Sequence, residues 1–220
     1  LTFDTRTAFQ PIGMLTHTAS VFIARPDFPA TTFAEVIAHV KANKDKVTFG
    51  NAGLGAASHL CGMLFQTAVG TQVTTIPYRG KAPVLNDLRG KQIDMTCDQA
   101  TAVTSHIKSG GIKAYAVTTK ARIADLPDLP AADEAGLKGF DLSVWHGVYA
   151  PKGLPQPVLD KLAAAVQAVV QDPVFIEKLK GINTTAASKD EATPAGLSKQ
   201  LTSEIDRWAP IIKAAGQYAD

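Results

Sequence analysis

The chain has 220 residues, of which 45% are hydrophobic and 19% charged, with a formal net charge of +2. That length allows one large or two small domains with real cores, and the composition excludes a disordered, fibrous or disulfide-stapled chain. Lys and Arg are scattered without a basic stripe, which argues against a nucleic-acid partner, and every apolar run is broken well short of the roughly 18 residues a bilayer requires.

The chain opens with Leu1-Thr2-Phe3-Asp4, without an initiator Met or a basic region followed by an apolar core, and reads as a mature or cut chain with no early strand. Val21-Phe22-Ile23-Ala24 predicts a buried strand ended by Arg25-Pro26-Asp27. Thr32 and Glu35 then form a capping box, after which Phe33, Val36, Ile37 and Val40 recur at helical spacing. Val47 to Phe49 reads as strand, Gly50 to Ala57 as a glycine-rich turn, and Leu60, Met63, Leu64 and Ala68 as one helix face stopped by Gly70. The cycle repeats with a strand at Val73 to Ile76, a turn at Tyr78 to Lys81 and a helix with Pro83 near its start and Gly90 past its end. A period-two segment from Ile93 to Cys97, a helix from about Thr101 to Lys108 and a strand at Ile112 to Thr118 follow. Such alternation predicts parallel βαβ units with right-handed crossovers.

Residues 121–139 read as loop with one short helix near Ala131 to Ala135, and Phe140 to Ala150 as an extended apolar segment. The rest is helical: Pro157 to Val170 carries an apolar face, and Asp172-Pro173 and Thr193-Pro194 are N-caps followed by proline. The compact βα set flanked by the extended pieces Pro11 to Arg25 and Phe140 to Ala150 suggests two lobes with a hinge; a single doubly wound sheet is the other reading.

The densest chemical signal is Gly50-Asn51-Ala52-Gly53-Leu54-Gly55-Ala56-Ala57-Ser58-His59, between a strand and a helix. Glycines permit sharp turning and close main-chain approach, and a helix start supplies unpaired N–H donors, so this loop suits an anion; the plainer reading is a tight connection. Gly53-x-Gly55-x-x-Ser58 with Arg79 beyond the next strand keeps an NADP-dependent oxidoreductase with a degenerate dinucleotide loop as the alternative function. Two further loops, Pro77 to Lys81 and Thr96 to Gln99, lie at carboxyl ends of strands and should converge on the first. There Arg79 would pair with a carboxylate and Tyr78 would donate its hydroxyl or cover an apolar part of a ligand, while Asp98 either caps the next helix or touches the ligand.

Catalytic constellations are absent: there is no G-x-S-x-G, P-loop or H-E-x-x-H motif, and His17, His39, His59, His106 and His146 are scattered. Ser58 and His59 are adjacent and would not face one another on a helix, so they make no catalytic pair. Cys61 and Cys97 lack metal-ligand spacing and read as two small buried thiols.

In sum the residues resemble the substrate-binding proteins of tripartite tricarboxylate transporters, the Bug-type periplasmic receptors. The likeness is carried by Pro11-Ile12-Gly13-Met14-Leu15, Phe49-Gly50-Asn51-Ala52-Gly53, Ser58-His59-Leu60, Ile76-Pro77-Tyr78-Arg79-Gly80-Lys81-Ala82-Pro83, Ile93-Asp94-Met95 with Asp98, Leu126-Pro127-Asp128-Leu129-Pro130, Trp145-His146-Gly147-Val148-Tyr149-Ala150-Pro151 and Glu204-Ile205-Asp206-Arg207-Trp208. It implies an α/β, two-lobed, type II Venus-flytrap binding protein lacking the first strand, loop and helix of lobe 1, with residues 1–25 and 143–220 in lobe 1 and 26–142 as the central ligand-binding lobe. It further implies a periplasmic, monomeric receptor that is not an enzyme, holds a small organic acid without metal or cofactor and delivers it to integral-membrane transporter subunits. Carried over by position, the ligand-binding residues are Gly53, Gly55, Ala56, Ser58, Tyr78, Arg79, Gly80 and Asp98, with Thr16 and Trp145 near the hinge. The two cysteines are not a family feature, although an oxidising periplasm would permit a bridge if the thiols met.

Overall fold

A computed structural model describes residues 3–216. By their contacts these divide into two compact units, one formed by the chain up to Thr18 and again from Trp145, the other by Ala19–Val144. Strand β1 (Phe9–Ala24) contributes to both. It is one 16-residue strand where the sequence predicts a four-residue strand behind an extended flank.

The Ala19–Val144 unit continues with α1 (Phe33–Ala42), β2 (Thr48–Asn51), α2 (Ala57–Val69), β3 (Thr74–Pro77), α3 (Lys81–Arg89), β4 (Met95–Gln99), α4 (Ala100–Lys108) and β5 (Lys113–Val117). Its strands lie in the order β3-β2-β4-β1-β5. Strand β2 is parallel to both β3 and β4, as the alternation predicts. The expectation of a wholly parallel sheet is corrected at β1, which runs antiparallel to β4 and β5, with Val21 opposite both Asp98 and Val117. Local periodicity fixes which residues are extended, whereas pairing between segments nearly 80 to 100 positions apart is settled only by tertiary packing.

The sheet is covered on both faces, so the end of β1, Val21–Ala24, is an unbroken apolar run rather than alternating. Val21 and Ile23 pack with Val84, Leu88, Ile93 and Val103 beneath α3 and α4. Phe22 points the other way and stacks with Phe33 of α1 and Phe65 of α2, at ring-centroid distances of 5.0 and 5.1 Å. Helix α1 begins with the predicted capping box, Thr32 Oγ1 accepting from the Glu35 amide while Glu35 accepts from the Thr32 amide.

No helix forms at residues 131–135. The Val117 amide donates to the Pro130 carbonyl and the Ala132 amide to the Val117 carbonyl, and Ala131 makes a parallel bridge with Val117. Ala131 and Ala132 are thus tied to the sheet edge, and the segment makes a single turn only, the Ala135 amide donating to the Ala131 carbonyl while Glu134 Oε2 accepts from the Ala131 amide and the Arg122 guanidinium.

In the other unit, β6 (Ser143–Pro151) and β7 (Thr184–Ala186) each pair with β1, and helices α5 (Gln156–Val169), α6 (Pro173–Lys180) and α7 (Pro194–Ala215) complete it. Ile12 and Met14 of β1 are buried with Ala163, Val166, Val170 and Leu197. Asp172 and Thr193 cap α6 and α7 as predicted, each with proline in the first turn. Strand β7 is not visible in the sequence, because three residues carry too little pattern to register.

Cys61 and Cys97 are joined as a disulfide, which corrects their reading as separate thiols. Cys61 lies on the first turns of α2, and Cys97 sits opposite Phe22 on the same side of the sheet that α2 covers; both are fully buried. With 36 positions between the ends, the bridge removes chain entropy from the unfolded state worth about 4 kcal/mol. A Cys61→Ala/Cys97→Ala double variant should therefore unfold at lower denaturant concentration by an amount approaching that figure. A chemical-denaturation midpoint unchanged from the parent would show that the bridge does not constrain the chain.

Candidate functional site

Because β3, β2 and β4 are mutually parallel neighbours, their carboxyl ends lie on one edge, and each is followed directly by a helix. The three connecting loops meet there as expected. The Tyr78 amide donates to the Asn51 carbonyl, the Gly80 amide to the Ala52 carbonyl, and Thr96 Oγ1 to the Gly50 carbonyl. Lys81 closes the third side, its Nζ lying 3.3 Å from Asp98 Oδ1 and 3.1 Å from Gln99 Oε1.

Among the described residues four helices start without a side-chain cap or a first-turn acid: α2, α3 and α4 at this edge, and α5 (Gln156–Val169) in the other unit. Helices α1, α6 and α7 satisfy their first amides with Thr32, Asp172 and Thr193. Helices α2, α3 and α4 have no side-chain cap and no acidic residue in the first turn. Their partial positive charges are left uncompensated by their own side chains, the condition under which an external anion is stabilised.

Within the glycine loop, the amides expected to face a ligand are used internally. The Gly53 amide donates to Asn51 Oδ1 at 2.9 Å, the Gly55 amide to His59 Nδ1 at 3.2 Å and the Ala56 amide to the Gly53 carbonyl at 3.1 Å. Ser58 Oγ accepts from the Ala52 amide at 2.9 Å. Ser58 and His59 are buried and each braces the loop, so both side chains have structural work and form no nucleophile–base pair. The amides without an acceptor among the described residues are those of Leu54, Ala57 and Ser58. Of these the sequence reading named only Ser58; the others are legible only once the first three are seen to be occupied.

Gly53 and Gly55 adopt φ of +120° and +76°, and a Cβ on Gly53 would sit 3.2 Å from the Tyr78 carbonyl oxygen. Both glycines therefore serve the turn itself. Gly80, at φ +106°, is the backbone cap of α3.

Tyr78 does not offer its hydroxyl to a ligand, because that group donates to Asp87 Oδ2 at 2.7 Å. Burial, together with the hydrogen bond to Asp87 and the Asp87 charge, pushes its phenol up to about 12. Arg79, next in sequence, is exposed and has no carboxylate partner among the described residues. Asp98 is buried on β4, pairs with Lys81 and accepts from the Gln99 amide at 2.7 Å; Gln99, not Asp98, is the N-cap residue of α4. The sequence places Lys81 in the second loop without assigning it a role, although its place one residue after Gly80 puts a cation at the start of a helix whose dipole it opposes.

Thr16 and Trp145 belong to the other unit. Thr16 Oγ1 lies 3.0 Å from His146 Nδ1, and Trp145 packs against the core around Ile12 and Met14. Among the described residues no three His, Cys, Asp or Glu side chains are grouped to hold a metal, and no helix is long and apolar enough to cross a membrane.

The chain belongs to the tripartite tricarboxylate transporter family receptors, whose model matches residues 1–217. Its fold is that of the two-lobed periplasmic binding proteins. It is 46% identical over 209 residues to a UPF0065 protein of Agrobacterium vitis, covering 95% of this chain and 60% of that one. The solved periplasmic binding protein BugD is 46% identical with a TM-score of 0.86 (97% of this chain, 71% of BugD). Two Rhodopseudomonas palustris proteins are each 29% identical: Rpa4515, solved with adipate, at TM-score 0.87 (97% and 71%), and MatC, solved with malate, at 0.86 (96% and 72%). The chain spans about three fifths of the length of the first curated relatives it matches.

The Tyr78–Asp87 bond gives a pH test. A phenol whose folded-state value lies above its ordinary 10 contributes stability that is complete below pH 10 and is lost as pH rises towards 12. Alkaline titration of phenolate absorbance should show Tyr78 ionising near pH 12, and Tyr78→Phe should remove one of the late steps, leaving those of Tyr115, which burial also pushes up to about 12, and of Tyr149, which burial also raises. Loss of a step near pH 10 instead would show that Tyr78 is solvated.

Proposed function

We propose that the protein is a solute-binding receptor that captures a small organic carboxylate outside the cytoplasm and presents it to the membrane subunits of a tripartite tricarboxylate transporter, without performing a reaction on it. We take the two compact units as parts of its two lobes. The observation that carries the proposal is the convergence of three uncapped, acid-free helix starts at one sheet edge, beside Arg79, which has no carboxylate partner among the described residues. A carboxylate there would accept from the Leu54, Ala57 and Ser58 amides and pair with Arg79. Lys81 adds positive charge, and its ion pair with Asp98 offsets the one buried carboxylate of the edge.

Family membership and the relatives solved with adipate and malate support an acid as the ligand. The dinucleotide alternative draws no comparable support. A pyrophosphate would need the amides of the glycine turn, and those of Gly53, Gly55 and Ala56 already have acceptors.

Calorimetric titration of the purified protein with mono-, di- and tricarboxylates, and with NADPH as control, tests this reading. At least one acid should bind saturably, and Arg79→Ala should weaken it by about 1.5–3 kcal/mol, roughly tenfold to a hundredfold, if the guanidinium bonds the carboxylate directly. Saturable NADPH binding with indifference to every acid would reverse the assignment. Undiminished acid affinity in Arg79→Ala would remove that residue from the site.

A further inference from the structure

In the Ala19–Val144 unit one large hydrophobic side chain is exposed: Leu54, at 54%. A lone exposed leucine on a surface is ordinary. This one is held between two glycines at positive φ, on a loop whose flanking amides are all tied down, those of Ala52, Gly53, Gly55 and Ala56 each donating to a partner within the same loop and helix start. The tip is therefore rigid, and Leu54 is displayed by the turn rather than left over from a mobile segment. It also stands beside the second loop, because Gly53 approaches the Tyr78 carbonyl and the Gly80 amide reaches Ala52.

We infer that Leu54 is the residue that reads the hydrocarbon part of the ligand, and that the site accordingly favours acids carrying an unsubstituted methylene chain over compact acids. This rests on the carboxylate reading above. A carboxylate at the Ala57 and Ser58 amides and Arg79 directs the adjoining carbon chain along the loop, where every other exposed group is backbone or a residue as small as Ala52. Covering a methylene with Leu54 takes apolar surface of both from water, and a fully covered methylene is worth about a fourfold gain in affinity. The amide of Leu54 then holds the charged end of the ligand while its side chain covers the apolar end, so a single residue couples recognition of both.

The test compares acetate, butyrate and hexanoate, and succinate, glutarate and adipate, by calorimetry on the intact protein, with Leu54→Ala, Leu54→Ser and the volume-conserving Leu54→Met. In whichever series binds, affinity should rise about twofold to fourfold per added methylene. Leu54→Ala and Leu54→Ser should flatten that rise to nearly none, and Leu54→Met should keep it. An undiminished slope in Leu54→Ala, or an equal loss for short and long acids, overturns the assignment while leaving the carboxylate site standing. Failure of the parent protein to bind either series overturns both.

Discussion

Parallel pairing of β2 with β3 on one side and β4 on the other is the constraint from which the site follows. Parallel neighbours must be joined by crossovers, so each strand is followed by a helix that starts at the same edge. Three helix dipoles then point their positive ends at one place, and none is neutralised by a cap of its own. Elsewhere in the molecule the same sequence supplies caps readily, at Thr32, Asp172 and Thr193. Helix α5 also starts uncapped, so what marks this edge is the convergence of three such starts, which leaves room for an anion.

The edge is rigid because its polar side chains are spent on its own backbone. Asn51, Ser58 and His59 each take a loop amide, and Asp98 takes the Gln99 amide and the Lys81 ammonium. Side-chain acceptors spent in this way hold the backbone of the turn, while the buried Asn51 Nδ2 has no hydrogen-bond partner among the described residues. The Cys61–Cys97 bridge ties the first turns of α2 to β4 a residue before Asp98, so the glycine loop and the Lys81 pair share one covalent frame. A site preorganised to this degree binds without the cost of ordering its donors.

The division of labour inside the loop differs from the one usually assigned to glycine-rich turns. Gly53 and Gly55 permit the turn, while the donors left for a ligand come from the residues after and between them. Leu54 is placed on display by that arrangement, and Tyr78, anchored to Asp87, walls the adjacent loop without offering its hydroxyl.

The sequence alone determined the local elements: the capping box at Thr32, the strand–glycine turn–helix at Gly50 to Gly70, and the N-caps at Asp172 and Thr193. Each of these is encoded within a few consecutive residues as periodicity, cap chemistry or backbone permissiveness. Tertiary structure decided what depends on residues far apart in the chain. It set the antiparallel insertion of β1 between β4 and β5, the pairing of Cys61 with Cys97 and the tying of Ala131 and Ala132 to the sheet edge. Which amides of the glycine loop are already taken is a local matter of the loop's own geometry, settled by Asn51 Oδ1, His59 Nδ1 and Ser58 Oγ within six residues of the amides they meet. Strand neighbours and disulfide partners are chosen by proximity in space, and proximity in space is the one quantity a linear pattern does not carry.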